Sequence, residues 1–226
     1  GILGGSVSLA TRLKWPDDYF TFVHGLAYQQ YNVKNYSTLT AMPTGISNNI
    51  NYNFTLARNS VDQLIYPRQG SDISLAAQMT FPYSLVNGKD YSNLSSQERY
   101  KWLEYYKVNI RAAWYFNLFD DLVVSTRARF GFLGQYNSKV GYSPFERFYL
   151  GGDGLTGYNI DGRELVSLRG YEDLSLSPNG GGMVFDKYTM ELRYPITLSE
   201  GASVFALTFF EAGNSWANFQ SFEPFK

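Results

Sequence analysis

Apolar and polar residues alternate along much of this 226-residue chain. In Asn49–Leu56, Ile50, Tyr52, Phe54 and Leu56 share one face, while Asn49, Asn51, Asn53 and Thr55 share the other. Ser6–Trp15 sets Val7, Leu9, Leu13 and Trp15 against Ser6, Ser8, Arg12 and Lys14, and Ser71–Phe81 sets Ile73, Leu75, Ala77, Met79 and Phe81 against Ser74, Ala76, Gln78 and Thr80. In Tyr105–Asn117 the even positions from Tyr106 to Phe116 are apolar, opposite Lys107, Asn109, Arg111 and Asn117. Asp121–Gly134 places Val124, Ala128, Phe130 and Phe132 opposite Ser125, Arg127 and Arg129. A period of two is the signature of a strand with two unlike faces. The pattern predicts eight strands, at about 4–15, 19–32, 47–58, 71–82, 102–118, 121–135, 183–195 and 202–213.

These segments are long. Strands of soluble proteins usually run about five or six residues, whereas a tilted membrane-crossing strand needs roughly nine to eleven. Aromatic residues sit toward the ends of the apolar faces (Trp15, Phe20, Phe81, Trp114, Phe116, Tyr194), as interfacial girdles require. Short connections at 15–18, 59–70, 118–121 and 194–201 alternate with long polar ones at 33–46, 83–101 and 136–182, the pattern of a barrel with turns on one rim and loops on the other. The last strand departs from clean alternation: Phe205, Leu207 and Phe209 share a face with Glu211, which predicts packing inside a barrel there.

Composition narrows the reading. Aromatic residues make up 18% of the chain and apolar residues 44%, yet mean hydropathy is −0.27 and no apolar run approaches the roughly 20 residues of a membrane helix. Composition alone fits a soluble β-sandwich as well as a membrane barrel; strand length and girdles favour the barrel. The near balance of 19 Lys+Arg and 20 Asp+Glu leaves no basic footprint for nucleic acid. Without cysteine there is no zinc ribbon, cysteine nucleophile or disulfide scaffold. The lone histidine, His24, lies on the apolar parity with Phe20, Phe22 and Leu26, facing lipid, so a hydrolase constellation is not expected and the chain is read as a non-enzyme.

The segment 136–182 is 47 residues long with little strand or helix pattern, beyond the length of an ordinary loop. It is too rich in aromatics for disorder (Phe145, Phe148, Tyr149, Tyr158, Tyr171) and carries many glycines, so it needs a surface to bury against, and the barrel lumen offers one. Asp153, Asp161 and Asp173 match no EF-hand spacing and are read as solvated carboxylates; no metal and no cofactor are expected. An arginine inside a barrel stays charged and needs a carboxylate. The Leu168–Tyr171 motif, through the family resemblance given below, makes Arg169 the candidate, with Gly170 supplying close approach or positive φ and Tyr171 supplying packing. Because Tyr188, Met190, Leu192 and Tyr194 take the lipid parity, Glu191 points inward; Glu211 follows in the next strand. The alternative for Glu191 is Arg193 or another lumenal base, with Arg169 left in solvent. Arg127 and Arg129 are read as lumen lining and Arg163 as the wet surface of the loop.

Phe148-Tyr149-Leu150-Gly151-Gly152 followed by Leu168-Arg169-Gly170-Tyr171 resembles the signature of the superfamily of outer-membrane protein assembly factors and two-partner-secretion translocators. Arg12–Tyr19 is similar to a strand and turn of the assembly factors, and Tyr66-Pro67-Arg68-Gln69-Gly70 to the family's Pro-x-x-Gly strand approach. The resemblance implies an all-β antiparallel transmembrane barrel with a lumen-inserted loop over 136–182, whose tip bears Arg169, and acidic partners at the positions of Glu191 and Glu211. It implies residence in the bacterial outer membrane and a role in folding and inserting other β-barrels. The expected partners are unfolded barrel clients, accessory lipoproteins of an assembly complex and the lipid bilayer. A secretion translocator is the alternative within the superfamily; a porin or receptor barrel is the alternative outside it. On that resemblance residues 1–226 are expected to be part of one barrel domain, with POTRA repeats and terminal strands outside this chain.

Overall fold

The computed structural model describes residues 1–36, 39, 41–155, 162–199 and 201–224. Its long strands are β1 (Ile2–Arg12), β2 (Phe20–Val33), β3 (Gly45–Asn59), β4 (Gly70–Thr80), β5 (Tyr106–Phe119) and β6 (Leu122–Gly134), then β9 (Val184–Ser199) and β10 (Ala202–Trp216). Two short strands, β7 (Phe148–Leu150) and β8 (Glu164–Val166), lie between β6 and β9. The eight long strands form one sheet in the order β1-β2-β3-β4-β5-β6-β9-β10, every neighbouring pair antiparallel. They run from 11 to 16 residues, the length the alternation predicts for membrane crossing.

Cross-strand pairing carries each parity from strand to strand, because directly paired residues share a face. Asn51 pairs with Ala27 and Thr80, Lys107 with Gln78 and Leu133, and Glu191 with Ser125 and Phe209, so one continuous polar face runs through all of them. Burial on the two faces is inverted relative to a soluble protein. Asn49, Asn51 and Ser125 are buried, whereas Val7 is 80% exposed and Phe210 68%. A soluble sheet buries its apolar face; this one presents it outward and keeps amides and charges inside, as lipid requires. His24 lies on the outer face, stacked on Phe22 with ring centroids 5.3 Å apart.

Four strand ends differ from the prediction by three residues or more: β9 runs on to Ser199 and β10 to Trp216, beyond the expected 195 and 213, while β1 and β5 are shorter. β1 stops at Arg12, short of Trp15, before Pro16, which has no N–H to give to a ladder. β5 begins at Tyr106, not 102, since Leu103 and Tyr105 are drawn into a core above the sheet, where both are fully buried. Pro195 of β9 lies opposite a register shift in β10 between Val204 and Phe205, where a missing donor does least harm.

The apolar core lies at the loop rim rather than within the sheet. The loops 34–44, 81–105 and 135–183 converge there, and Met42, Leu103, Tyr105, Phe145, Phe148, Leu150, Val166 and Leu168 pack in one cluster with Tyr31, Leu133, Val184 and Phe185 at the strand ends. At the opposite rim the connection 60–69 is more than a turn. Tyr66 folds back beneath the barrel, fully buried, and its hydroxyl donates to the backbone carbonyls of Asp121 (3.1 Å) and Arg193 (3.0 Å). Its ring meets Phe205 at 5.3 Å, so this inner residue of β10 packs inside the barrel, while Leu207 and Phe209 on the same face stay exposed.

Candidate functional site

The inserted loop is not structureless. β7 and β8 pair in parallel, Phe148 opposite Glu164 and Leu150 opposite Val166. Both ends are tied to the sheet. Phe148 and Gly182 exchange backbone hydrogen bonds of 3.0 and 2.7 Å, and Met183 N–H donates to Trp216 at 2.8 Å. Phe148 is the apolar anchor. Its ring packs at a tilt against Phe185 of β9 with centroids 4.8 Å apart, and the Lys107 ammonium sits 4.9 Å from its centroid. Both rings press on the wall at Gly131, where an added Cβ would come within 2.2 Å of Phe185 and 2.8 Å of Phe148.

The tip follows from backbone geometry. Gly151 and Gly152 have φ of +124° and +84°, and a Cβ on Gly152 would overlap the Asp173 carboxylate. Gly152 and Leu168 pair as an isolated antiparallel bridge, and Gly152 N–H donates to Tyr171 at 3.1 Å. Gly170 has φ of +91° with open space around it, so its role is conformational rather than one of close approach. Tyr171 does not supply the expected packing: its side chain is 51% exposed. Leu168, almost fully buried, anchors the tip instead.

The structure brings Arg169, Glu191 and Glu211 together. Arg169 Nη2 donates to Glu191 Oε1 at 3.0 Å and to Glu211 Oε1 at 2.9 Å, while its backbone N–H donates to Glu211 Oε2 at 2.9 Å. The guanidinium carbon lies 3.5 Å above the Phe209 ring of β10, a cation–π contact. Both glutamate side chains are 4% exposed. The alternative partner of Glu191 is engaged too: Arg193 donates through Nε (2.9 Å) and Nη2 (2.6 Å) to Glu191 Oε2, and Arg127 reaches the same oxygen at 2.6 Å. Lys187 Nζ lies 3.0 Å from Glu211 Oε1 and donates to the Ser167 carbonyl at 2.6 Å. Two carboxylates thus serve four cations, so Arg169 is one of several cations that keep the acids apart.

A second charged dock holds the same loop with opposite polarity. Glu164 of β8 accepts from Asn109 (3.0 Å) and Arg129 (3.2 Å) and lies 3.2 Å from Lys107 Nζ. Glu146 accepts from Lys107 (3.1 Å) and from the Tyr31 hydroxyl (3.0 Å). Burial works to raise the Glu164 carboxyl, but the charges of Lys107 and Arg129 and the donors around it outweigh burial and hold it below the usual carboxylate range. Arg163, expected on a wet surface, is half-buried; it donates to the Tyr36 hydroxyl at 3.2 Å and lies over the Tyr149 ring at 4.8 Å.

The inward parity of Lys107 and Lys187 is readable in the strand pattern, but their assignment to Glu146, Glu164 and Glu211 is not. Glu146 and Glu164 lie in a loop where alternation gives no direction. Asp161 and Tyr158 fall outside the described residues. Among the described residues no group of three or more His, Asp or Glu side chains is arranged to hold a metal ion, and no helix is long and apolar enough to cross a membrane.

An antiparallel sheet with an apolar exterior, a polar interior and a loop docked on its inner wall defines a transmembrane β-barrel of the outer-membrane type. The chain belongs to the Omp85 superfamily: the model of the Omp85 superfamily domain matches residues 2–225. It is also similar in fold to BamA from Haemophilus ducreyi, in a crystal structure lacking POTRA domains 1-3, with a TM-score of 0.67 at 18% sequence identity. That likeness covers 97% of this chain and 42% of the other. Comparison with curated protein sequences finds no match.

Proposed function

We propose that this chain is part of the barrel domain of an outer-membrane assembly factor, which folds and inserts other β-barrel proteins into the bacterial outer membrane. The observation that carries the reading is the Leu168-Arg169-Gly170-Tyr171 tip on the inner wall, with Arg169 between Glu191 and Glu211 of adjacent strands. In this reading the clasp is a brace and has no chemical step. A client strand cannot leave backbone N–H and C=O groups unpaired in lipid. An assembly factor supplies a barrel seam whose edge pairs with the client by strand addition. The client needs a wall that holds its curvature while the seam exchanges partners, and a loop cross-linked to β9 and β10 supplies that stiffness. The partners implied are unfolded barrel clients, accessory lipoproteins of an assembly complex and the bilayer. Loop residues 136–182 are the brace, and Phe148, Gly151, Gly152, Gly170 and Tyr171 shape it around Arg169.

The test uses the full-length protein in proteoliposomes with an unfolded client barrel. Folding is read as gain of protease resistance and heat-modifiable migration. The expected result is client folding by the native protein, reduced several-fold by Arg169→Ala. A native protein that leaves the client unfolded but passes an extended polypeptide across the vesicle membrane would overturn the assembly reading in favour of translocation.

A further inference from the structure

Three basic side chains stand directly opposite one another across the inner wall. The register pairs Arg111 of β5 with Arg129 of β6, and Arg129 with Lys187 of β9. Like charges set directly across a strand pair repel and weaken the sheet, so a ladder of this kind needs an offsetting anion. The chain's own carboxylates offset it only in part. Glu164 reaches Arg129 at 3.2 Å but lies 3.6 Å from Arg111, and it is shared with Lys107. Glu211 lies 3.0 Å from Lys187 and is shared with Arg169. The Arg111 side chain remains 60% exposed to the lumen.

These three bases and Arg127 line a cavity of about 360 Å³, with Asp72 and the already engaged Glu211 as its acids. We propose that the cavity is a binding site for a phosphate-class oxyanion, held by Arg111, Arg129 and Lys187. Guanidinium groups match tetrahedral oxyanions through paired, charge-assisted hydrogen bonds. The space admits such an ion with hydration water, each water taking roughly 30 Å³. The chemistry is shared by free phosphate and by a phosphomonoester on a lipid headgroup. It stands apart from the assembly reading, since a translocator with this lumen would carry the same site.

The test titrates inorganic phosphate into the full-length protein in phosphate-free detergent, with chloride holding ionic strength constant. Thermal unfolding and phosphorus NMR linewidth are the readouts. Phosphate is expected to raise the melting temperature, as a ligand of the folded state must, and to broaden the NMR signal. Arg129→Gln should weaken phosphate binding roughly tenfold or more, since a hydrogen bond to a charged group is worth about 1.5–3 kcal/mol. Arg111→Gln, which removes the most exposed rung, should fold normally and show a comparable loss, so a misfolded Arg129 variant does not end the test. Lys101→Gln, on an exposed loop, should respond like the native protein. Competition by glycerol phosphate identifies a site open to headgroup monoesters, and its failure to compete identifies a site for the free ion; both support the proposal. No response to phosphate in the native protein, an unchanged response in both arginine variants, or an equal effect of added chloride would overturn it.

Discussion

The inserted loop is held to the barrel wall by two charged docks of opposite polarity. At Glu146 and Glu164 the loop supplies acids, and β5 and β6 supply Lys107, Arg111 and Arg129. At the tip the loop supplies Arg169, and β9 and β10 supply Glu191 and Glu211. The docks differ in redundancy. Cations exceed carboxylates at both, and Glu164, Glu191 and Glu211 are each shared among several bases, whereas Glu146 meets Lys107 alone among the bases of the described residues. Removing Glu164, Glu191 or Glu211 strands a group of like charges, and at the tip removing a base leaves both acids still paired, whereas removing Lys107 leaves Glu146 with the Tyr31 hydroxyl. The inner wall is therefore more sensitive at its carboxylates than at the conspicuous arginine of the tip.

Substitutions can break or sharpen that contrast, and the largest effect is expected at Glu191. Glu191→Ala leaves Arg127, Arg169 and Arg193 facing one another at a buried position. Loss of one partner of a buried ionic group costs about 3–5 kcal/mol, to be read as a lowered midpoint in urea unfolding of the micelle-bound protein. A midpoint unchanged from the native one would show that the arginines are fully hydrated and that the clasp has no energetic weight.

Glu164→Ala should cost about 2–3 kcal/mol, from lost charge-assisted hydrogen bonds on a carboxylate less enclosed than Glu191. It should also free the loop, seen as faster protease cleavage. This dock carries a pH dependence of defined sign. Because the folded carboxyl titrates below its unfolded value, its contribution is complete above the unfolded value near about 4.3 and is lost as pH falls from there through the lowered folded value. Loop cleavage by an acid-active protease should therefore accelerate below about pH 4 in the native protein, and depend little on pH over that range in Glu164→Ala. Acceleration setting in near neutrality would contradict the assignment.

Arg169→Ala should cost only about 1 kcal/mol, because the guanidinium is partly screened by solvent and its acids retain Arg127, Arg193 and Lys187. Its larger consequence is for client folding, since the tip loses its tie to two strands while the fold persists. A loss of stability matching that of Glu191→Ala would abolish the proposed asymmetry. Arg163→Ala should be the mildest, at about 0.5–1 kcal/mol for a partly exposed cation–π contact with Tyr149. Hydrogen exchange should show loosening confined to the segment around Tyr149 and Tyr36.

Much of the barrel could be read from residue types alone. A strand projects side chains to two faces in strict alternation, so parity placed Asn49, Asn51 and Lys107 inside, and Ile50, Tyr106 and His24 outside, before any pairing was known. The same rule turned Glu191 inward, whereas Arg169 came to notice through the family resemblance of its Leu-Arg-Gly-Tyr motif. Alternation ends where strands end. It offered no means of seeing that Leu103 and Tyr105 leave β5 for the core, that Tyr66 folds beneath the barrel, or that Leu168 rather than Tyr171 anchors the tip.

The number and facing of the long strands belonged to the sequence, because the two-residue period is local and needs no distant partner. Which groups meet was decided by the tertiary structure. Glu164 meets Lys107 across 57 positions of chain and Arg169 meets Glu211 across 42, counted from their residue numbers. Those meetings require the sheet to set β5, β6, β9 and β10 side by side and the loop rim to close three connections into one core. Only that packing chooses among many inward-facing charges, since every lysine, arginine and glutamate of the same parity is locally equivalent until the strands are in register.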